Sequence, residues 1–408
     1  MKKKFTGYEV FVIAILTILQ FSIILDFMVL SPLGPILRPA LNISPAQFGV
    51  VVAAYAISAG LSGLLAAGFA DKYDRKKLLL FFYIGFILGT LFCGLAPNYP
   101  LLLAARIVTG IFGGVIGSIT FAIVTDLFPI EVRGRVMGFL QMAFASSQVL
   151  GLPIGLYFAN KWGWHSPFIM IVGVSTLVAI VIIRYLKPID GHLKIKTNRN
   201  VFVHLAKTVS NLTYLKIFAA TMLLATGGFM LMPFGADFGV HNLHLSLDQL
   251  PMLYMVTGIA SMILGPLIGR ASDNLGKYNM FAAGSIVMIV LVIIYCNLGP
   301  TPLWMVMGLN IVMFAGISAR MISSQALISA VPEQADRGAF MSLNSSMQQI
   351  SGGIASYIAG MIVVQAPTQE LLHYDILGYV VAGSIIITIV LIWFVNQYVA
   401  AKLQKAHV

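Results

Sequence analysis

Long apolar runs recur along the whole chain and are separated by short polar stretches. Each run is about 20 residues or longer, which is enough to cross about 30 Å of hydrocarbon as an α-helix. The runs lack the every-second-residue alternation that is typical of membrane β-barrel strands. The pattern therefore predicts an all-α polytopic membrane protein with twelve transmembrane helices. The predicted spans, numbered 1 to 12, cover residues 10–37, 46–69, 77–96, 100–126, 136–159, 165–187, 213–237, 248–269, 279–298, 302–330, 339–363 and 376–400.

One polar signal occurs twice, 202 residues apart, each time between two apolar runs. Asp71 to Lys77 follows span 2, and Gly269 to Lys277 follows span 8. The same offset carries Phe27-Met28 onto Phe229-Met230. Such a duplication is typical of transporters in which two halves move around a shared central site.

The helix-start signals repeat as well. Ser44 with Gln47, and Ser246 with Gln249, have the spacing of capping boxes before spans 2 and 8. We therefore expect two pseudo-symmetric six-helix halves that are joined by a polar cytoplasmic linker. The N-terminal half covers residues 1–187, the linker 188–212 and the C-terminal half 213–408.

The composition supports a membrane protein, because 59% of the residues are hydrophobic and only 10% are charged, against about 25% charged in soluble domains. With these spans, every Lys and Arg except Arg38, Arg106, Lys161 and Arg320 falls at one end of the bundle. The positive-inside rule places this end and both termini in the cytoplasm. Since the net charge of +11 forms no single patch, we expect no nucleic-acid partner. We expect a monomer, in contact with the lipid bilayer of the cytoplasmic (inner) membrane.

The loops after spans 2 and 8 also identify a family. Their characteristic residues are Asp71, Lys72, Arg75 and Lys76 in the first copy, and Gly269, Asp273, Gly276 and Lys277 in the second. Over about its full length the chain resembles transporters of the major facilitator superfamily, closest to the twelve-helix drug:proton antiporters and their sugar-efflux-like relatives. That family's loop reads roughly G-x-x-x-D-R/K-x-G-R-R/K, so Asp74 occupies a usual glycine position. The resemblance implies the major facilitator fold and transport of a small-molecule substrate.

Asp26 and Arg106 are the candidate proton-coupling residues. Asp26 lies about 15 residues into span 1, roughly 22 Å from the cytoplasmic edge. A carboxylate at that depth is costly and marks a functional site by default. Arg106 lies at a similar depth in span 4, and the resemblance associates the arginine of R-x-x-x-G, here Arg106 and Gly110, with proton transfer. The alternatives are a carboxylate that reaches the membrane surface and an arginine that only holds helices together.

The resemblance further implies a cytoplasmic conformational switch made of the loop charges and the end of span 4. Its candidate residues are Asp71, Arg75, Lys76, Asp126, Asp273 and Lys277. In the family these charges hold one of the two transport conformations. The alternative is an ordinary solvated loop, since surface ion pairs contribute little free energy.

Span 5 contains a stretch that resembles the antiporter signature G-x-x-x-G-P-x-x-G, and its candidate helix-bend residues are Gly151, Pro153 and Gly155. Ser147 replaces the first glycine, and Leu152 separates Gly151 from Pro153. In the family this signature distinguishes exporters from importers. The alternative is a bend that serves packing only.

Polar and aromatic side chains at membrane depth are candidates for the walls of a substrate cavity. They are Tyr55, Gln148, Phe229, Met230, Tyr254, Asn310, Arg320, Asn344 and Gln348. Such residues also satisfy one another between helices, and Arg320 could instead extend to the lipid headgroups. His241 and His244, after span 7, could sense pH but are more often solvated loop histidines.

These features favour a secondary active transporter, and proton-coupled efflux by antiport is the leading hypothesis. The alternatives are an uptake symporter or facilitator of a nutrient and, more remotely, a membrane receptor that does not transport. The sequence contains no Walker A motif and no metal-ligand or nucleophile pattern, so we expect neither an enzyme nor a cofactor or metal. Cys93 and Cys296 fall inside apolar runs and are expected to be small core residues.

Overall fold

The computed structural model describes residues 5–66, 72–194, 208–333 and 337–406. Eight of the twelve spans are single helices. These are Pro45–Ala66 (span 2), Arg75–Leu95 (span 3), Tyr99–Leu127 (span 4), Ser166–Tyr185 (span 6), Lys277–Cys296 (span 9), Leu303–Ser329 (span 10), Arg337–Ile362 (span 11) and Tyr374–Ala406 (span 12).

The other four spans contain a break or begin with a tight turn. Span 1 consists of Gly7–Val29, the 3₁₀ turn Ser31–Leu33 and Gly34–Leu41, and span 5 of Ile130–Ser146, the π-helical turn Ser147–Gly151 and Leu152–Trp162. Span 7 consists of Leu212–Leu231, the 3₁₀ turn Met232–Phe234 and Gly235–His241, and span 8 of the 3₁₀ turn Leu247–Gln249 and Leu250–Leu275. A 3₁₀ turn covers Gly191–Lys194, and the two-residue strands Val364–Gln365 and Leu371–Leu372 pair antiparallel before span 12.

The breaks in spans 1 and 7 have the same local cause. Pro32 lies in the first turn and Pro233 in the second. Proline has no N–H to donate and its ring clashes with the preceding helical turn, so a regular helix is interrupted there. The outer segments of both spans can therefore change direction, and they pack against each other.

The predicted capping boxes are confirmed. The Gln47 side chain accepts from the Ser44 backbone N–H (2.9 Å), and Ser44 Oγ accepts from the Gln47 N–H (3.2 Å). Ser246 and Gln249 form the equivalent box before span 8. These reciprocal bonds satisfy helix N–H groups that have no partner within their own helix.

Among the described residues, eleven helical segments are long and apolar enough to cross a membrane. Span 11 is not one of them, although 26 residues are long enough to cross. Its serine, asparagine and glutamine residues lower its hydropathy.

Span 11 can carry polar residues because it lies against other helices. Asn344 Oδ1 accepts from Thr221 (2.7 Å), while Ser351 and Ser356 donate to backbone carbonyls of span 7. On another side, glycines let span 2 approach closely, and a Cβ on Gly60 would lie 2.9 Å from the Ser346 carbonyl oxygen. Small residues and interhelical hydrogen bonds are the usual basis of helix association in membranes.

The division into two halves stays a prediction, since only residues 188–194 and 208–212 of the proposed linker are described. Cys93 and Cys296 are buried and unbridged.

Candidate functional site

Asp26 and Arg106 form a buried ion pair within the first six spans. Arg106 Nη1 lies 2.8 Å from Asp26 Oδ2, and the two side chains are 1% and 0% exposed. Thr90 of span 3 donates to the other carboxylate oxygen at 3.2 Å. The guanidinium carbon of Arg106 lies 4.4 Å from the ring centre of Tyr55 in span 2. Depth along the helices predicted the partner, and the structure brings the two residues into contact.

Such a pair can exist in two protonation states, with the Asp26 carboxylate either charged or neutral. Removing one buried partner leaves an uncompensated charge, which costs about 3–5 kcal/mol. Protonation of Asp26 cancels its charge without removing the side chain, and so weakens its hold on Arg106. The arrangement therefore has a group that can hold or release one proton next to an arginine that responds to the charge of that group.

The close contact between spans 2 and 4 explains why the R-x-x-x-G stretch has a glycine at Gly110. A Cβ at this position would lie 2.0 Å from Ser58 Oγ and 2.5 Å from the Tyr55 carbonyl oxygen. Span 4 can therefore approach span 2 at this point only without a side chain. This close contact holds Tyr55 beneath Arg106.

The repeated phenylalanines meet each other. Phe27 lies 5.8 Å from Phe229 and 5.5 Å from Tyr55, measured between ring centres. A Cβ on Gly352 of span 11 would lie 2.6 Å from the Phe229 ring. Residues that the 202-residue offset relates thus lie side by side, as expected near an approximate twofold axis. Two cavity candidates, Tyr55 and Phe229, are connected through Phe27.

The other cavity candidates occupy several helix contacts. Asn344 is bonded to Thr221, as described, which agrees with the packing alternative. Asn310 donates to the Val306 carbonyl (2.9 Å), and Gln348 is half-buried. The remaining ones are Met230, which is buried in the core, Gln148, which lies in the π-helical turn, and Tyr254, which lies near Tyr295 and Asp237.

Arg320 is buried rather than extended toward the headgroups. Only 5% of it is exposed, and its guanidinium carbon lies 5.7 Å from the ring centre of Phe281. A Cβ on Gly284 of span 9 would lie 3.6 Å from Arg320 Cγ. No described carboxylate forms an ion pair with it.

Two of the predicted switch residues meet where span 3 begins and span 4 ends. Arg75 Nε lies 3.0 Å from Asp126 Oδ2, and Lys76 donates to the Ile183 carbonyl at the end of span 6 (3.0 Å). Asp273 and Lys277 pair with each other across the start of span 9. Asp71 lies outside the described residues.

Asp74 has a structural role at its unusual position. One oxygen accepts from the Lys77 N–H (2.9 Å) and caps the start of span 3, and the other accepts from the Ile189 N–H (2.9 Å). Arg75 N–H in turn donates to the Ile189 carbonyl (3.0 Å). The aspartate that replaces a glycine therefore fastens the loop to the segment after span 6.

The candidate bend in span 5 is a π-helical turn over Ser147–Gly151, directly before Leu152 and Pro153. A π-helical turn holds one residue more than an α-helical turn, and it often marks a functional site. The extra Leu152 and the widened turn thus occur together. Gly151 packs on span 1, where a Cβ would lie 2.7 Å from Leu25, and Gly155 has Val29 as a neighbour.

A second buried ion pair was not predicted from the sequence. Arg38 Nη1 lies 2.8 Å from Asp237 Oδ2, with side chains 2% and 1% exposed, and Arg38 also donates to Gln365. His241 is the last residue of the helix Gly235–His241, with Nε2 3.7 Å from Asp237 Oδ1, and is not a free loop residue. One signal was present: the 202-residue offset carries Asp237 onto Pro35, three residues from Arg38.

Known proteins similar to this chain are membrane transporters. An uncharacterized MFS-type transporter, YceJ, of Bacillus subtilis (strain 168) is 29% identical over 66% of this chain and 68% of its own length. Multidrug resistance protein 3 of the same organism is 35% identical over 37% of this chain and 29% of its own. A probable sugar efflux transporter of Helicobacter pylori (strain G27) is 26% identical over 58% of this chain and 60% of its own.

Solved structures share the fold along nearly the whole chain. A bacterial homolog of the human lysosomal transporter Spinster, inward-facing and unoccupied, matches with a TM-score of 0.71 at 17% identity, covering 97% of both chains. A D-xylose-proton symporter matches with a TM-score of 0.72 at 16% identity, covering 93% of this chain and 97% of its own.

The family model of the Major Facilitator Superfamily matches the chain twice in succession, over residues 16–216 and 217–407. Together these matches cover nearly the whole sequence, including both buried ion pairs. The protein therefore belongs to the Major Facilitator Superfamily, and is a multi-pass membrane transporter of small molecules rather than an enzyme.

Proposed function

We propose that this protein exports a small organic solute across the cytoplasmic membrane in exchange for protons. It works by alternating access, as a monomer without cofactor or nucleic acid, and both termini lie in the cytoplasm. The observation that carries the proposal is the ion pair of Asp26 and Arg106, buried at membrane depth within a transporter fold.

The coupling step belongs to Asp26. A proton that arrives from outside neutralises the carboxylate, which then no longer holds Arg106. The halves rock, the proton leaves to the cytoplasm, and the restored pair favours the state that binds substrate. Proton and substrate each stabilise a different conformation, and this difference in affinity is what shifts a two-state equilibrium.

The cytoplasmic charges regulate the same equilibrium. In this proposal Asp71, Arg75 and Asp126 act with Lys76 as a switch that is formed in one conformation and opened in the other. The contact of Arg75 with Asp126 supports it. Gly151, Pro153 and Gly155, with the π-helical turn before them, supply the flexible part of span 5.

Some observations support export and others support uptake. The names of two relatives, a multidrug resistance protein and a probable sugar efflux transporter, favour export. The extra Leu152 in the exporter-like signature and the structural match to a D-xylose-proton symporter favour the second candidate, proton-coupled uptake. In either direction Asp26 carries the coupling proton.

Substrate flux in proteoliposomes under an imposed pH gradient tests the proposal. The substrate is first found by a thermal-shift screen, since ligands that bind the native state stabilise it. Asp26→Asn should bind substrate yet lose gradient-driven flux. Asp190→Asn, at an exposed acid after span 6, serves as control and should match the wild type. Wild-type gradient-driven flux in Asp26→Asn would remove Asp26 from the mechanism.

A further inference from the structure

Four arginines are buried in the part of the chain that the structure describes, and three of them pair with an aspartate. The three pairs are Arg38 with Asp237, Arg75 with Asp126, and Arg106 with Asp26. Arg320 is the fourth. It forms no ion pair with a described carboxylate, and its Nε has no hydrogen-bond partner among the described residues. Because an arginine side chain keeps its proton in proteins, this guanidinium is a buried cation without a described counter-charge.

Packing alone does not account for a charge at this position. A buried charge without a partner strongly destabilises the folded state, whereas a well-packed apolar side chain of similar volume does not. A methionine or leucine at residue 320 would fill the space between the helices without that cost. The charge of Arg320 is therefore expected to serve a partner that the described helices do not supply.

The guanidinium of Arg320 lies between spans 7, 9, 10 and 12. Its carbon is 5.7 Å from the ring centre of Phe281 in span 9. A Cβ on Gly227 of span 7 would lie 3.9 Å from Arg320 Nη1 and 3.7 Å from Ser384 Oγ of span 12. Both distances are ordinary van der Waals contacts, so a small group fits between span 7 and the guanidinium.

The corresponding part of the first six spans carries a carboxylate. The 202-residue offset takes Asp26 onto Gly228, the neighbour of Gly227. Gly228 is exposed, and a Cβ on it would meet no atom within 4 Å. Arg106 therefore has its counter-charge on span 1, whereas Arg320 faces a stretch of span 7 that has no side chains and has open space beside it.

A second polar group next to Arg320 is also unsatisfied. Ser285 of span 9 is fully buried, and its Oγ has no hydrogen-bond partner among the described residues. Phe281, Gly284 and Ser285 share one face of span 9, since residues three and four apart are neighbours on a helix. This face lies on Arg320, because a Cβ on Gly284 would be 3.6 Å from Arg320 Cγ. A guanidinium and a hydroxyl donor on one face suit the oxygen atoms of an anion.

We propose that Arg320 and Ser285 form an anion-binding site inside the last six spans. The ligand is a small anion, either the carboxylate or phosphate group of an organic solute or an inorganic anion such as chloride. It supplies the counter-charge of Arg320 and accepts hydrogen bonds from the guanidinium, which are stronger than those between neutral groups.

The site gives the two parts of the chain different tasks. The pair of Asp26 and Arg106 lies within the first six spans, and Arg320 lies within the last six. If the anion is part of the transported solute, the last six spans recognise the charge of the solute while the first six carry the proton. Only this assignment to the solute rests on the proposed function, since binding at Arg320 needs neither transport nor a pH gradient.

Thermal unfolding of the detergent-solubilised full chain, titrated with sodium benzoate, measures binding at this site. Benzoate should raise the unfolding midpoint of the wild type, because a ligand of the native state stabilises it, and neutral benzamide should not. Arg320→Met keeps the bulk without the charge. It should bind benzoate at least about tenfold more weakly, since a hydrogen bond to a charged group contributes more than the equivalent of a factor of ten.

Two further comparisons identify the source of the anion and separate the site from proton coupling. Sodium chloride or sodium phosphate that stabilises the wild type as strongly as benzoate assigns the site to an inorganic anion. An effect confined to benzoate assigns it to the carboxylate of an organic solute. Asp26→Asn should keep the benzoate shift, so the anion site can fail while Asp26 coupling holds, and the reverse.

A carboxylate built into span 7 tests the same site without an added ligand. In buffer without these anions, Gly227→Asp should unfold at a higher temperature than Gly227→Asn, because the new carboxylate can pair with Arg320. The two variants have side chains of the same size. In the Arg320→Met background the order should reverse, because the carboxylate is then buried without a partner. Gly227→Asp should also lose the benzoate shift.

The anion site is overturned if neither benzoate, chloride nor phosphate raises the midpoint of the wild type. It is equally overturned if benzoate stabilises Arg320→Met as much as the wild type, or if Gly227→Asp is less stable than Gly227→Asn with Arg320 present. Gel filtration verifies that each variant is folded. If Arg320→Met does not fold, the comparison of Gly227→Asp with Gly227→Asn and its effect on the benzoate shift decide the test.

Discussion

At the scale of single residues, the protein places few charges inside the membrane and gives most of them partners. Asp26 has Arg106 and Thr90, and Arg38 has Asp237. Each pair joins different helices, so a change of charge at one side chain alters a helix contact. The cost of an unpaired buried charge, several kcal/mol, is comparable to the about 5.5 kcal/mol that moves a two-state equilibrium from 1:99 to 99:1. The free energy of a single protonation event is therefore large enough to select a conformation.

The close contact between spans 2 and 4 gives a prediction for Gly110. Gly110→Ala should lower the free energy of unfolding by about 1–3 kcal/mol, because the new Cβ would overlap Ser58 and the Tyr55 backbone. Gly117→Ala, on the same helix with nothing within 4 Å of its Cβ, should be neutral or stabilising, by up to about 1 kcal/mol. Thermal unfolding in detergent compares the two. Equal stability of both variants would show that the contact is loose.

The depth of a residue in the membrane could be predicted from the sequence, but the direction in which its side chain points around the helix axis could not. Counting along spans 1 and 4 gave Asp26 and Arg106 the same depth, and they do meet. The sequence also allowed Arg320 to extend to the lipid headgroups, yet its side chain turns inward onto Phe281. The pair of Arg38 and Asp237 depends on two helix breaks, and no local pattern shows where a chain points after a break.

At the scale of elements, breaks in the helices place several of the interacting side chains and helix segments in contact. The proline-containing turns in spans 1 and 7 aim Arg38 and Asp237 at each other, and the π-helical turn in span 5 packs against spans 1 and 8. The signature in span 5 appeared imperfect because Leu152 separates Gly151 from Pro153. The structure gives a reason, since the π-helical turn accommodates one additional residue.

Deletion of Leu152 tests this explanation. The π-helical turn should become a regular α-helical turn, with Pro153 directly after Gly151, and the protein should stay folded with its thermal midpoint little changed. Deletion of Tyr157, an exposed residue in the regular helix that follows, has no widened turn to absorb it. That deletion rotates the rest of span 5 by about 100° and should destabilise the protein strongly. Similar losses in both deletions would disprove the role of the turn.

At the scale of the whole molecule, the described ion pairs that join different helices lie at three depths. The pair of Asp26 and Arg106 lies within the first six spans, and the proposed function assigns the coupling proton to it. The pair of Arg38 and Asp237 ties the first six spans to the last six, and the Arg75–Asp126 contact lies at the other end. The sequence predicted the twelve spans, the duplication and the contact between Asp26 and Arg106, because these follow from hydropathy, spacing and depth. The pair of Arg38 and Asp237 emerged only from the three-dimensional arrangement.

Proton release on substrate binding tests the central claim most directly. If proton and substrate favour opposite states, each lowers the affinity for the other by the same factor. Adding the identified substrate to purified protein in weakly buffered solution, at a pH at which Asp26 is protonated, should release about one proton per transporter, and Asp26→Asn should bind substrate and release none. The account is contradicted if the wild type binds substrate without releasing a proton, or if Asp26→Asn releases as many protons as the wild type.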